Sequence, residues 1–96
     1  MAGMIAVIGH GYWGKNLVRN FYELGSLHTV CDANPALELE IQSKYPGVRF
    51  RSDFAGVLED QEIAGAVLAT PAISHFDLAM AALRAGKDVF VEKPLA

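Results

Sequence analysis

Short apolar runs alternate with segments of helical periodicity along the whole chain. Two of the runs, 4–9 and 63–69, are almost wholly apolar, which is typical of parallel strands covered on both faces of a sheet. Shorter runs at 27–31, 48–50 and 88–92 complete five predicted strands. Because the strands alternate with helices and crossovers are right-handed, the pattern predicts an α/β, doubly wound parallel sheet of order 3-2-1-4-5.

The first two helices are bounded by residues that start or stop a helix. The first is predicted to begin near Gly11 or Tyr12 and to end at Gly25, which takes a left-handed cap conformation. The second is predicted to begin with Asn34 as its N-cap and Pro35 in its first helical position, and to stop at residues 46–47. The stripes expected to be buried are Trp13, Leu17, Phe21 and Leu24 on the first helix, and Leu37, Ile41 and Tyr45 on the second.

Two further helices are predicted in the second half of the chain. Asp53 is expected to cap a brief helix through about Leu58. Ser74 is expected to cap the last helix, with Asp77 as a capping-box partner, and Gly86 is expected to close it. The face of this helix expected to be buried is Phe76, Ala79, Met80 and Leu83.

Three glycines stand where the first strand gives way to the first helix. Gly9, Gly11 and Gly14 form a G-x-G-x-x-G set, in which the first permits a tight turn and the second lets a pyrophosphate approach the backbone. The third, Gly14, lets the helix and strand pack closely. The free amides at the helix N-terminus favour bound phosphate. The set predicts a dinucleotide site, with a turn that merely packs as the alternative.

Asp32 supports the dinucleotide interpretation. It follows the second strand, near the spacing expected of the acid that accepts hydrogen bonds from the adenosine ribose hydroxyls. A carboxylate there repels a 2′-phosphate, and residues 33–36 include no arginine or lysine, so NAD is favoured over NADP. S-adenosylmethionine is the rival ligand. The spacing of the three glycines and the polar segment after the fourth strand argue against it.

Five more residues lie at the predicted carboxyl edge of the sheet, where ligands of open α/β sheets bind. Thr70, Pro71 and His75 follow the fourth strand, and Glu92 and Lys93 close the fifth. A lysine beside the cofactor could hydrogen-bond a substrate hydroxyl and help to move its proton. The residues alone leave two alternatives open: a solvent-facing histidine at a helix start, and a solvated acid and base after a strand.

Composition narrows the class of partner. The net charge of −3 provides no basic stripe for nucleic acid or for an anionic membrane, so small-molecule ligands remain. No apolar run approaches the roughly 20 residues that cross a bilayer, and a cytoplasmic location is expected. Cys31 is the single cysteine and is interpreted as a small core residue, with no internal disulfide and no metal site expected.

Together these motifs resemble the N-terminal domain of the glucose-fructose oxidoreductase, inositol dehydrogenase and MocA family. The resemblance rests on the three glycines, Asp32, Thr70-Pro71 with His75, Ala85-Gly86-Lys87, and Glu92-Lys93-Pro94. It implies a catalytic site that includes Lys93, with Thr70, Pro71, His75 and Glu92 along the NAD. The run 11–17, which includes Tyr12 and Trp13, further resembles members that oxidise the 3-hydroxyl of nucleotide-linked sugars, and it implies that both aromatics belong to the cofactor loop.

The resemblance also implies what the chain does. Residues 1–96 are expected to form one truncated Rossmann domain, without the C-terminal α+β domain that completes the site in the family. The expected reaction is reversible hydride transfer from a secondary hydroxyl of a sugar or nucleotide-sugar to NAD. The alternative is a non-catalytic dinucleotide-binding regulatory module or a gene fragment. A homo-oligomer formed through the uncovered surface is a further expectation.

Overall fold

A five-stranded parallel sheet forms the centre of the part of the chain that the computed structural model describes. That part comprises residues 4–70 and 72–91, without the side chains of residues 12, 13 and 72–75. The strands are β1 (Ile5–Ile8), β2 (Leu27–Cys31), β3 (Arg49–Arg51), β4 (Gly65–Leu68) and β5 (Asp88–Val91). The helices are α1 (Tyr12–Glu23), α2 (Glu38–Lys44), α3 (Phe54–Glu59) and α4 (Ala72–Arg84), and a 3₁₀ turn, Pro35–Leu37, precedes α2.

The strand order is β3-β2-β1-β4-β5, as the sequence predicts, and every pairing is parallel. β1 lies in the middle, where Val7 is opposite Val30 of β2 on one side and Val67 of β4 on the other. All four residues of β4 are buried, which explains why this strand reads as a continuous apolar run. The carboxyl ends of β1 and β4 therefore meet where the chain reverses its direction of winding.

The hydrophobic core has one layer on each face of the sheet. Side chains of α1 and α2 pack on one face around Val7, Val18, Leu27, Val30, Ile41, Val48 and Val67. Side chains of α3 and α4 pack on the other face around Ala6, Ile8, Cys31, Val57, Ile63, Ala66, Leu68 and Ala82. No helix in the described residues is long and apolar enough to cross a bilayer.

Several predicted helix boundaries are confirmed. The Asn34 side chain accepts a hydrogen bond from the Ala36 amide at 3.1 Å, and the 3₁₀ turn follows at Pro35. The Asp53 side chain accepts one from the Gly56 amide at 3.1 Å, which caps α3. Gly25, which follows α1, has a φ of 77°, the left-handed conformation that the sequence predicts.

The predicted buried faces of α1 and α4 need correction. Leu24 is 74% exposed, whereas Val18, outside the predicted stripe, is fully buried. On α4, Phe76 is 73% exposed and Leu83 56% exposed, while the fully buried residue is Ala82. The prediction of Ser74 as the cap of this helix is also wrong, because α4 already begins at Ala72. Leu17 and Phe21 of α1 and Ala79 of α4 do pack against the core, as predicted. Both helices carry apolar residues on more than one face, so periodicity alone also selected residues that the structure leaves exposed.

Candidate functional site

A cleft of about 420 Å³ opens at the carboxyl edge of the sheet. It lies between the ends of β1, β2, β3 and β4 and the start of α3, and one side chain of α4 contributes to its wall. Most of its lining is apolar or glycine. The lining residues are Ile8, Gly9, Gly11, Cys31, Asp32, Ala33, Ser52, Phe54, Ala69, Thr70 and Leu78.

The glycine turn between β1 and α1 forms one wall of this cleft. Gly9 has a φ of 102°, and its amide donates a hydrogen bond of 2.7 Å to the Cys31 carbonyl, so the turn is bonded to β2. A Cβ on Gly14 would overlap the Gly9 carbonyl oxygen, so α1 packs on the turn at a distance that only glycine permits. Gly11 has open space around the position of its missing Cβ. Gly9 thus forms the tight turn and Gly14 the close packing that the motif predicts, while the approach of a pyrophosphate at Gly11 stays a prediction.

Asp32 is fixed at the end of β2 by backbone groups on both sides. One carboxylate oxygen accepts a hydrogen bond from the His10 amide at 2.8 Å, and the other accepts one from the Asn34 amide at 2.9 Å. Its own amide donates to the Arg51 carbonyl at 3.1 Å. Because each carboxylate oxygen has more than one acceptor site, both oxygens keep capacity for a ligand hydroxyl.

His10, which the sequence interpretation overlooked, is buried beneath the glycine turn. Its Nε2 lies 3.5 Å from the Glu40 Oε2 of α2, which is long for a hydrogen bond. Burial lowers the pKa of His10 below its usual 6.5, and Glu40 opposes that shift. The only sequence signal was its place between the first two glycines of the motif.

Cys31 lines the cleft as a buried residue with a free thiol. Removal of the thiol from water, with the nearby Asp53 and Asp32 carboxylates as smaller causes, raises its pKa to about 11. A thiol with so high a pKa carries almost no thiolate near neutral pH and is a poor nucleophile. The interpretation of Cys31 as a core residue is confirmed.

The structure places the other predicted site residues unequally. Thr70 lines the cleft immediately beyond β4. Tyr12 and Trp13 are the first two residues of α1, and His75 lies near the start of α4, but the side chains of all three lie outside the described part. Pro71, Glu92 and Lys93 also lie outside the described residues.

Seven lining residues were not identified as site residues from the sequence: Ile8, Cys31, Ala33, Ser52, Phe54, Ala69 and Leu78. Ala33 and Ser52 follow β2 and β3 almost directly, so their position after a strand was a usable signal. Phe54 and Leu78 belong to α3 and α4, and they close the apolar side of the cleft only because both helices pack on the same face of the sheet. No pattern in the local sequence predicts that Phe54 and Leu78 lie close together.

The described residues fit a bound dinucleotide. Open space above Gly11 gives a pyrophosphate access to the N-terminus of α1, whose first turn carries no acidic residue. The Asp32 carboxylate, at the end of the neighbouring strand β2, offers hydrogen-bond acceptors of the kind that ribose hydroxyls need. The Phe54 and Leu78 side of the cleft offers an apolar surface of the kind that receives a flat base.

Comparison with known proteins agrees with this geometry. The chain is 35% identical over 95 residues to inositol 2-dehydrogenase 2 of Saccharopolyspora erythraea, a match that covers 96% of this chain and 28% of the relative. The scyllo-inositol dehydrogenase of Lactobacillus casei, solved with NAD(H) and scyllo-inositol, superposes with a TM-score of 0.82 at 30% identity. That match covers 98% of this chain and 28% of the other.

A third similar protein was solved with a different kind of bound molecule. The WlbA dehydrogenase of Bordetella pertussis, solved with NADH and UDP-GlcNAcA, superposes with a TM-score of 0.83 at 27% identity and covers all of this chain and 30% of the other. The chain thus spans less than a third of the length of these relatives. Residues 4–96 match the model of the oxidoreductase family with an NAD-binding Rossmann fold. The chain therefore belongs to the glucose-fructose oxidoreductase, inositol dehydrogenase and MocA family, of which it contains the NAD-binding domain.

Proposed function

We propose that this chain is the cofactor domain of a dehydrogenase that transfers a hydride between NAD and a secondary hydroxyl of a sugar or nucleotide-sugar. The observation that carries the proposal is the juxtaposition of the glycine turn and the fixed Asp32 carboxylate at one edge of the sheet. Relatives solved with an inositol and with a nucleotide-linked sugar acid support this substrate class.

In this proposal the glycine turn and α1 bind the pyrophosphate. Gly11 has no neighbour within 4 Å of the position of its missing Cβ, so a phosphate can reach the backbone there. The unpaired amides and the dipole at the start of α1 stabilise its negative charge. Tyr12 and Trp13 are the first two residues of α1, and we propose that both contribute to the cofactor site.

Asp32 selects NAD over NADP. Its two oxygens already accept one backbone amide each, which holds the carboxylate in place to accept hydrogen bonds from ribose hydroxyls. A 2′-phosphate would place its charge against this carboxylate, and residues 33–36 provide no cation to offset the repulsion. The preference arises both from attraction for the hydroxyls and from repulsion of the phosphate.

The residues proposed for the nicotinamide end of the site are assigned from the family resemblance. NAD accepts the hydride when bound, and Lys93 is proposed to hydrogen-bond the substrate hydroxyl and help to move its proton. Thr70, Pro71, His75 and Glu92 are proposed to lie along the cofactor. The cytoplasmic location, the lack of nucleic-acid and membrane partners, the single truncated domain over 1–96 and a homo-oligomer also stay predictions.

Calorimetric titration with NAD and NADP tests the cofactor assignment. Asp32→Asn is expected to weaken NAD binding by about tenfold or more, the effect of losing hydrogen bonds to a charged acceptor. The same substitution reduces the difference in affinity between NAD and NADP, because it removes the repulsion between the carboxylate and the 2′-phosphate. Asp88→Asn is the matched control, since it removes the same charge from an exposed residue at the opposite edge of the sheet.

Two results would contradict this assignment. One is equal affinity of the wild-type chain for NAD and NADP, which would mean that Asp32 does not distinguish a ribose 2′-hydroxyl from a 2′-phosphate. The other is an equal loss of NAD affinity in Asp32→Asn and Asp88→Asn, which would show a general effect of charge.

A non-catalytic dinucleotide-binding module is the second candidate. Cys31 and Asp32 are the only titratable side chains among the described residues that line the cleft, and the high pKa of Cys31 makes it a poor proton carrier near neutral pH. The two functions differ in turnover. NADH formation with an inositol or a UDP-linked sugar acid as substrate supports the dehydrogenase, whereas tight NAD binding by a chain extended beyond Ala96 without turnover of any such substrate favours the module.

A further inference from the structure

A second group of polar side chains lies at the edge of the sheet opposite the cofactor cleft. His28 is near the start of β2, and Asp60 and Glu62 lie in the segment between α3 and β4. Each of the three offers one nitrogen or oxygen atom, and these atoms all lie within 4.8 Å of one another. We propose that His28, Asp60 and Glu62 form a site for one divalent transition-metal ion of the zinc class.

The imidazole of His28 is already oriented for this role. Its Nδ1 lies 2.7 Å from the Oγ1 of Thr29, which is 1% exposed, and its Nε2 lies 2.8 Å from the Glu62 Oε1. A histidine that binds a metal through one ring nitrogen usually donates a hydrogen bond from the other, and Thr29 provides that acceptor. The metal would take the place of the contact between Nε2 and Glu62, with the ring in the tautomer whose Nδ1–H donates to Thr29.

The backbone that carries the two carboxylates is held in place on both sides of Glu62. The buried Lys87 donates from Nζ to the carbonyls of Asp60 at 2.9 Å and Ile63 at 2.7 Å. The amide of Glu62 donates to the Asp60 Oδ1 at 2.9 Å. A site whose backbone is fixed loses less conformational freedom when it binds an ion.

The distances fit a tetrahedral ion after small side-chain rotations. Ligands about 2.1 Å from Zn²⁺ lie about 3.4 Å from one another. The His28–Glu62 pair, now 2.8 Å apart, must open by about half an ångström, and the widest pair, at up to 4.8 Å, must close by about 1.4 Å. The Glu62 side chain is 70% exposed and free to rotate by that much.

The donor set also indicates the class of ion. One imidazole nitrogen with two carboxylates suits zinc and its first-row neighbours, whereas Mg²⁺ prefers oxygen ligands and near-ideal octahedral geometry. Such an ion would join β2 to the entry of β4 far from the glycine turn, so its effect would be on stability and not on NAD binding. This proposal is independent of the proposed dehydrogenase function.

Calorimetric titration of the full chain with Zn²⁺, and separately with Mg²⁺, tests the site. One Zn²⁺ per chain, an increase in Tm with Zn²⁺ and no binding of Mg²⁺ are expected. Glu62→Gln and His28→Gln are each expected to weaken Zn²⁺ binding by at least about tenfold. Glu59→Gln is the matched control, because it removes a neighbouring charge at the end of α3 without removing a proposed ligand. It is expected to leave Zn²⁺ affinity within about twofold.

Thr29→Val distinguishes an oriented metal ligand from a surface histidine that attracts cations. It keeps the shape of a buried strand residue but removes the hydroxyl beside Nδ1, and a loss of about 10- to 100-fold in Zn²⁺ affinity is expected. Unchanged NAD binding in Glu62→Gln verifies that the fold is intact. Absence of Zn²⁺ binding, or an equal loss in Glu59→Gln and Glu62→Gln, overturns the proposal.

Discussion

Gly14→Ala tests whether the third glycine of the motif is required by packing. Gly14 lies in the first turn of α1 and is buried against the glycine turn. An added Cβ would overlap the Gly9 carbonyl oxygen, lie 2.9 Å from its carbonyl carbon and lie 3.4 Å from the Ala69 Cβ. The nearest obstacle is backbone and cannot rotate away, so α1 has to move off β1.

The cost can be bounded from two opposing effects. Forcing extra volume into a packed site costs about 1 to 3 kcal/mol, whereas alanine in place of glycine favours the helix by up to about 1 kcal/mol. We therefore expect a net loss of about 1 to 2 kcal/mol in the free energy of unfolding. For a chain of this size such a loss lowers Tm by about 5 to 15 °C. NAD binding also weakens, since the shift of α1 moves its N-terminal amides.

Gly11→Ala is the matched control because the same methyl group meets no protein atom within 4 Å. Gly11 is the N-cap of α1 with a φ of −83°, a conformation open to alanine, so the loss of stability stays below about 1 kcal/mol. Its Cβ instead occupies the path of the pyrophosphate and is expected to weaken NAD binding by about tenfold or more. Thermal unfolding followed by circular dichroism, with calorimetric titration of NAD, measures both effects. A Gly14→Ala chain as stable as wild type, or a Gly11→Ala chain that binds NAD normally, would refute the reasoning.

Three further predictions concern buried polar groups. Because burial holds the pKa of His10 below 6.5, the unfolded chain binds more protons just below that pH, so the free energy of unfolding rises as pH increases towards 6.5. Urea denaturation of His10→Asn below and above pH 6.5 should show a smaller rise in the free energy of unfolding. A pH dependence equal to that of the wild type would contradict a lowered pKa for His10. Lys87→Met removes two hydrogen bonds to carbonyls and should lower the free energy of unfolding, measured by urea denaturation, by about 2 to 4 kcal/mol. A decrease below about 1 kcal/mol would show that these hydrogen bonds contribute little to stability. The Cys31 thiol, with a pKa of about 11, should react with a disulfide reagent at least about tenfold faster in urea than in the native chain, and fast native labelling would refute its burial.

The arrangement of the sheet was predictable because burial on both faces leaves a direct mark on the sequence. β1 and β4 are apolar at every position, and β2 was predicted with its observed bounds, Leu27–Cys31. The fixed hand of crossovers then leaves few orders for five parallel strands. The bounds of β4 were predicted less accurately, since the apolar run 63–69 continues beyond the residues that pair with β1 and β5.

The orientation of α4 was less predictable. Its sequence carries apolar residues around most of its circumference, so more than one stripe satisfies helical spacing. The structure buries Ala82 and packs Leu78 and Ala79 against the sheet, and it leaves Phe76 exposed. A small side chain lets the helix approach the sheet closely, whereas a large aromatic in the same place would hold it away. The volume available between α4 and the sheet decides which face of the helix is buried. The pattern of hydrophobic residues gives no information on that volume.

The candidate site divides in the same way between local and tertiary information. The glycines and Asp32 were predictable because their roles depend on the chain immediately around them: a tight turn, a helix start and a strand end. The burial of His10 was not, because it depends on α2, thirty residues away in sequence, which places Glu40 beside the ring. The His10 amide donates a hydrogen bond to Asp32 while its imidazole faces Glu40, so one residue joins the glycine turn to the end of β2 and to α2. Substitutions on α2 should therefore shift the Asp32 carboxylate, and with it the proposed contact to the ribose, through His10, although no residue of that helix lines the cleft.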